Sequence, residues 1–338
     1  MPHALIVGGT GALGSMIARE LRQNGWHVTI ASRRELTSDI RVLDVLRPDD
    51  LADKLADADI VVSANPGPDT TIERAIVAFG GLCISPATLS AESVANVARV
   101  ADPKGTFIPH AGLTPGYSNL VVADLLKRLP GSTRVAVGLT FSASGASGLG
   151  GRRWVRSLFA RARAADSLVY NFPLLGKRRC LFTALHEEGW HPELPPTIEQ
   201  VLEFCMSEWP VNMLLANLKR LRLLSLVPEA IFTRRRRNPS FVPTRETVLQ
   251  WARIQISNDF RESALWAIQG DYRTTAIMTA AFCDILLPLK RDGKLSAGVV
   301  RLQNLISRFD VDPMLSKAGA HIVSDTGALF ASSRGAVR

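Results

Sequence analysis

A glycine-rich run near the start of the chain, Gly8-Gly9-Thr10-Gly11-Ala12-Leu13-Gly14, has the composition and spacing to hold a pyrophosphate. Two overlapping templates fit it, Gly9-x-Gly11-x-x-Gly14 and Gly8-x-x-Gly11-x-x-Gly14. Glycine serves three purposes there: a tight turn at positive φ, close backbone approach to phosphate oxygens, and close packing of the next helix on the strand before it. The helix then aims free N–H groups and the positive end of its dipole at the anion. The apolar run Ala4–Val7 precedes the loop and the helical stretch Ala12–Asn24 follows it. That strand–turn–helix setting reads as dinucleotide binding, with a merely structural glycine turn as the alternative.

The second strand, His27–Ala31, bears on which dinucleotide is bound. NAD sites place an acid near the end of this strand for the ribose 2′-hydroxyl. Here the strand runs into Ser32-Arg33-Arg34, and the first acid is Glu35. A hydroxyl and two guanidiniums suit a 2′-phosphate, so the expected cofactor is NADP(H). The fourth strand ends in Ser63-Ala64-Asn65-Pro66-Gly67-Pro68, small residues that leave room for a nicotinamide ribose, with Asn65 and Pro66 as its contacts. The Tyr-x-x-x-Lys pair of short-chain dehydrogenases is absent. Tyr117, Tyr170 and Tyr272 are followed four residues later by Val121, Leu174 and Ala276.

A second segment with chemical content is His110-Ala111-Gly112-Leu113-Thr114-Pro115-Gly116-Tyr117-Ser118-Asn119. Gly112 and Pro115-Gly116 allow a compact turn, and Ser118 and Asn119 fall in the first turn of a helix, where they meet a ligand or cap the helix. With the glycine loop and the Asn65-Pro66-Gly67-Pro68 turn, this strand–GxxPGxxN–helix pattern resembles the saccharopine dehydrogenase-like family. Gly270-Asp271-Tyr272-Arg273-Thr274-Thr275-Ala276 and Gly298-Val299-Val300 resemble that family's carboxy-terminal elements. The resemblance implies an NADP-dependent oxidoreductase that moves hydride to or from a C=N substrate derived from an amine or amino acid. It also implies that Gly112, Pro115, Gly116 and Asn119 face the nicotinamide. The chain departs from the family pattern at Cys83-Ile84-Ser85-Pro86, where an acidic or aromatic pair is common.

Hydride transfer needs positioning and a proton source. His110 and Tyr117 flank the nicotinamide end and are the candidate catalytic residues, with structural roles as the alternative. Arg152, Arg153 and Arg156, after the Gly/Ser-rich stretch Ser142–Gly151, are candidate clamps for a substrate carboxylate or phosphate, against the alternative of an exposed basic helix face. Other readings are an enoyl or keto reductase acting on a lipid-like intermediate, and a non-catalytic NADP sensor or scaffold on the same fold. No metal site is expected.

The elements that must hold these residues are legible from periodicity. Apolar runs at Ala4–Val7, His27–Ala31, Ile40–Val45, Asp59–Ser63, Leu82–Ser85 and Thr106–Pro109 alternate with helical stretches at Ala12–Asn24, Asp49–Asp57, Thr70–Phe79 and Ala91–Val100. This predicts a doubly wound α/β Rossmann domain with a parallel sheet over residues 1–130. An α+β substrate and dimerisation domain is expected over 131–295, a C-terminal segment packing back on the Rossmann domain over 296–327, and a flexible tail over 328–338. Within the second domain, strands are expected at Arg134–Ser142, Leu168–Phe172, Arg178–Thr183, Thr247–Ser257 and Ala264–Gln269. Helices are expected at Ile198–Leu226, interrupted at Pro210, and at Thr275–Leu287.

At 338 residues, 46% hydrophobic and 21% charged, the chain can bury two cores and is not disordered. No apolar window reaches the ~18 residues of a membrane span, and no signal peptide is apparent. Cys83, Cys180, Cys205 and Cys283 lie far apart without a CxxC pair, as expected of reduced thiols in a cytoplasmic protein. The net charge of +9 divides into −2 over residues 1–130 and +11 over 131–338. An anionic small-molecule substrate therefore suits the second half. Arg234–Arg237, and the Leu214, Leu215, Leu218 and Leu221 stripe with Lys219, Arg220 and Arg222, leave membrane-surface contact as a less favoured option. No nucleic-acid module is present, and a homodimer is expected.

Overall fold

The computed structural model describes residues 1–32, 40–42, 55–64, 69–142, 149–172, 175–185, 190–221, 248–257, 259–267, 270–324 and 332–333. By contacts the chain divides into two compact units. The first comprises Met1–Leu120, Glu187–Trp190 and Tyr272–Ala318, and the second comprises Val121–His186, His191–Asp271 and Gly319–Arg338.

The first unit begins β1 (His3–Val7), α1 (Ala12–Gln23), β2 (His27–Ser32), β3 (Ile40–Val42) and β4 (Ile60–Ser63). It continues α2 (Thr71–Phe79), β5 (Leu82–Ile84), α3 (Ala91–Ala98) and β6 (Thr106–Ile108). After α4 (Tyr117–Arg128) the chain leaves it, and later returns with α7 (Asp271–Arg291), β13 (Gly298–Val299) and α8 (Asp312–Lys317). Its sheet is parallel throughout, in the order β13-β6-β5-β4-β1-β2-β3. Strands buried on both faces read as continuous apolar runs, which is why Ile60–Ser63 and Leu82–Ile84 are wholly buried. Leu5, Val61, Cys83 and Phe107 pack with Ile72, Ile76 and Val77 of α2 and with Val94 and Val97 of α3. Each such aliphatic side chain contributes about 1.5–3 kcal/mol on burial.

The second unit is built on an eight-stranded sheet in the order β14-β12-β11-β7-β10-β9-β8-β15. Its strands are β7 (Arg134–Phe141), β8 (Arg163–Phe172), β9 (Gly176–Ala184), β10 (Glu199–Met206), β11 (Val248–Ile256), β12 (Asp259–Ala267), β14 (His321–Ser324) and β15 (Ser332–Ser333). Only the β7–β10 pair is parallel. Helix α5 (Leu149–Arg161) packs on the sheet through Trp154 against Phe141 and Phe159 against Phe204. Helix α6 (Trp209–Arg220) is tied to β9 by Asn212, whose Oδ1 accepts from the Arg179 amide at 3.1 Å and whose amide donates to the Arg179 carbonyl at 3.0 Å.

One element differs in kind from expectation. The helix expected over Ile198–Leu226 is a strand, β10, followed by α6, which begins at Trp209. The strand lies inside the sheet with seven of its eight residues buried, so it lacks the period-two alternation of a half-exposed strand. Residues 222–247, including Arg222 and Arg234–Arg237, lie outside the described residues, as do most of Asp49–Asp57 and all of 325–338 except Ser332–Ser333. No described helix is long and apolar enough to cross a membrane.

Candidate functional site

The glycine turn sits at the carboxyl end of β1, beside the ends of β2 and β4. Gly8 is at φ +79° and its amide donates to the Ala31 carbonyl at 3.3 Å, while the Gly11 amide donates back to the Gly8 carbonyl at 2.9 Å. The glycines are not equivalent. A Cβ on Gly14 would lie 2.4 Å from the Gly8 carbonyl oxygen, and one on Gly9 would lie 2.7 Å from Ile30 Cγ2. These two let helix and strand approach each other. A Cβ on Gly11 would meet only the Gly8 oxygen, at 3.1 Å, and φ there is an ordinary −78°. Thr10, Gly11 and Ala12 are exposed, and Leu13 is partly so. Gly11 at the N-cap of α1 offers no capping side chain, and the first turn carries no acid. A close-packed turn therefore ends in an uncapped, exposed helix terminus, which is where a phosphate finds backbone donors and favourable potential.

Ser32 closes β2. Arg33, Arg34, Asn65 and Pro66 lie outside the described residues. Among the described residues, no group of three or more His, Cys, Asp or Glu could hold a metal.

The second turn follows β6 and is closed. Gly112 and Gly116 form a bridge, with the Gly112 amide donating to the Pro115 carbonyl at 3.2 Å and the Tyr117 amide to the Gly112 carbonyl at 2.9 Å. The Thr114–Pro115 peptide is cis, and Gly116 sits at φ +137°. A Cβ on Gly116 would fall 2.1 Å from the Gly112 oxygen. Asn119 is buried; its amide donates to the Trp190 carbonyl at 2.8 Å, and its oxygen accepts from the Gly116 amide at 3.4 Å and the Ser118 hydroxyl at 3.2 Å.

The two candidate catalytic side chains are both buried here and both engaged. The Tyr117 phenol donates to Asp312 Oδ1 at 2.7 Å. His110, at φ +59°, has Nε2 3.1 Å from the Leu89 carbonyl and Nδ1 3.3 Å from an Arg301 guanidinium nitrogen. A carbonyl cannot donate and a guanidinium cannot accept, so these partners select the neutral tautomer with hydrogen on Nε2.

Arg152, Arg153 and Arg156 lie on α5 of the second unit, Arg153 exposed and Arg156 half-buried. That unit also holds a buried polar array that its charge pattern gave no sign of. Glu203 Oε2 accepts from Tyr170 Oη at 3.0 Å and from Trp251 Nε1 at 2.9 Å. The Arg253 guanidinium donates to Tyr170 Oη at 3.0 Å and pairs with Glu262. Gly138 makes room for the indole, since a Cβ there would lie 1.8 Å from Trp251 Cε2. Burial and then the Glu203 charge push the Tyr170 phenol upward. The first unit has a buried carboxyl of its own, Glu73, hydrogen-bonded to Ser63 at the end of β4.

Comparison with known proteins bears first on the amino-terminal part. The model of the NAD dependent epimerase/dehydratase family matches residues 4–80. No curated protein matches. Among solved structures, apo saccharopine dehydrogenase (L-Glu forming) from Saccharomyces cerevisiae aligns over 96% of this chain and 100% of its own, with a TM-score of 0.59 at 12% identity. An engineered D-amino acid dehydrogenase bound to NADP+ aligns over 94% of this chain and 99% of its own, with a TM-score of 0.51 at 13% identity. At such identities the likeness is one of fold, and the fold of this chain is that of saccharopine dehydrogenase, with a Rossmann-type nucleotide-binding unit at its amino terminus.

Proposed function

We propose that the chain is an NADP-dependent oxidoreductase that moves hydride to or from a C=N bond in an amine- or amino-acid-derived substrate. The observation that carries this is the exposed end of α1 behind a turn whose conformation at Gly8 and close packing at Gly14 call for glycine. It is supported by the family model over residues 4–80 and by the dehydrogenase fold. The turn Gly8–Gly14 would hold the pyrophosphate through the amides of Ala12 and Leu13 at the start of α1. Ser32, Arg33 and Arg34 would take the 2′-phosphate, and Asn65 with Pro66 the nicotinamide ribose. Gly112, Pro115, Gly116 and Asn119 would present a rigid backbone surface to the reacting ring.

The bound nicotinamide supplies or accepts the hydride. The protein's part is positioning and exclusion of water. His110 and Tyr117 serve that end by anchoring the second turn to Leu89, Arg301 and Asp312. An iminium substrate carries its own proton on nitrogen, so the reaction needs no additional acid from either side chain. Arg152, Arg153 and Arg156 would hold the substrate's anionic group, binding ground and transition states alike, so their loss raises KM more than it lowers kcat.

The test is calorimetric titration of NADPH and NADH into the wild type and into an Arg33→Ala/Arg34→Ala double variant. Loss of even one charge-assisted contact, about 1.5–3 kcal/mol, weakens NADPH at least ~10-fold and leaves NADH nearly unchanged. Equal affinity for both cofactors before and after mutation overturns the NADP assignment. NADPH oxidation across a panel of amine and carbonyl pairs then tests the reaction class.

A further inference from the structure

A chain of hydrogen bonds joins the carboxyl ends of the first sheet's central strands, and a buried carboxyl stands at its head. Glu73 lies in the first turn of α2 and is 1% exposed. Its Oε1 accepts from the Ser63 hydroxyl, and among the described residues its Oε2 has no hydrogen-bond partner. The Ser63 carbonyl accepts from Ser85 Oγ at 2.9 Å, and the Ser85 carbonyl accepts from the Ala111 amide at 2.7 Å. The Ala111 carbonyl accepts from Thr279 Oγ1 of α7 at 3.0 Å. Ser63 is also the register partner of Val7, the residue before the glycine turn. One end of this path therefore adjoins the first turn, and the other reaches the residue before Gly112.

A carboxylate in such a place is costly unless a cation or several donors meet it. Glu73 has one hydroxyl. Burial raises its pKa, opposed by Ser63 and by its own backbone amide, and among the described residues no ammonium or guanidinium contributes. Its titratable neighbour is Cys83 of β5, a thiol that burial and then Glu73 push well upward. Val61, Phe107, Val94 and Val97, from β4, β6 and α3, make the rest of that layer apolar. Arg74, next in α2, is exposed.

We propose that Glu73 is a positioning residue for the dinucleotide. Its neutral carboxyl fixes Ser63 and, through Ser85 and Ala111, the strand ends that flank both turns, and loss of its proton loosens that edge and weakens cofactor binding. This rests on the dinucleotide reading above.

The experiment titrates NADPH into the wild type and Glu73→Gln at intervals from about pH 6 to about pH 9, with thermal melts at the same pH values. The amide mimics the neutral acid. The 2′-phosphate titrates identically in both proteins, so the difference between the two Kd profiles isolates Glu73. The wild type is expected to lose affinity with rising pH by about 5-fold or more relative to Glu73→Gln. Parallel Kd profiles overturn the proposal, and they do so even if the melts diverge, because Glu73 would then be structural only. If neither protein binds NADPH or NADH at any pH, the dinucleotide reading itself fails and this role falls with it. If Glu73→Gln does not fold, Ser63→Ala tests the same link: the proposal expects weakened NADPH with a flattened pH profile, and an unchanged profile overturns it.

Discussion

The two glycine-bearing turns of the first unit look alike in sequence and differ in what they leave open. The Gly8–Gly14 turn spends its glycines on packing helix against strand, then exposes backbone donors at the end of α1. The Gly112–Asn119 turn spends its glycines on closing upon itself, and its polar side chains are used internally. The first leaves backbone donors exposed. The second is built to be rigid. A glycine pattern thus reports where backbones come close, and only the distribution of unused donors tells whether a ligand is the reason.

The largest effect that would break this contrast is at the closed turn. Gly116→Ala places a methyl 2.1 Å from a carbonyl oxygen at a φ of +137°, and is expected to cost about 3 kcal/mol or more, read as a lowered midpoint in urea unfolding. A midpoint within error of wild type would mean the turn is not rigid. Gly11→Val comes next and acts the other way. Its Cβ meets a single oxygen at 3.1 Å, so the unfolding midpoint should move little while NADPH affinity falls about 100-fold. Normal NADPH binding, followed by fluorescence, would remove the first turn from the cofactor site.

Smaller effects sharpen the role of the closed turn's side chains. Asn119→Ala removes the donor to the buried Trp190 carbonyl and should cost about 1–3 kcal/mol in stability. Tyr117→Phe removes one hydrogen bond to Asp312, worth about 1 kcal/mol. For this variant, unfolding and single-turnover hydride transfer should be measured together. A large drop in the rate with an unmoved midpoint would return the phenol to proton transfer.

How much was legible beforehand follows from which residues carry two meanings. The strand–turn–helix around Gly8–Gly14 was readable because Gly8, at φ +79°, and Gly14, where a Cβ would lie 2.4 Å from a carbonyl oxygen, call for glycine. Strand β10 was not, since a central strand with seven of eight residues buried has no alternation to read, and Glu203 within it looks like a helix-surface charge. Glu73 was hidden for a related reason. Three residues after Thr70, in the first turn of a helix, an acid ordinarily faces solvent and the helix dipole, and only the fold reveals that it turns inward. The partners of His110 and Tyr117, Arg301 and Asp312, lie nearly 200 residues away in sequence, at separations of 191 and 195 positions, beyond the reach of any local pattern.

The seventh strand of the parallel sheet, β13, has a consequence for the timing of synthesis. Gly298 and Val299 pair with Thr106 and Phe107, yet they leave the ribosome only after β7 to β12 have been made. Until then β6 is an unpaired edge in a nascent chain, with the Gly105 and Phe107 carbonyls lacking the amides of Gly298 and Val300 that later satisfy them. The nucleotide-binding unit therefore cannot finish folding in the order in which it is translated. An exposed, pairing-competent edge on the nascent chain until residue 300 is the cost this topology carries.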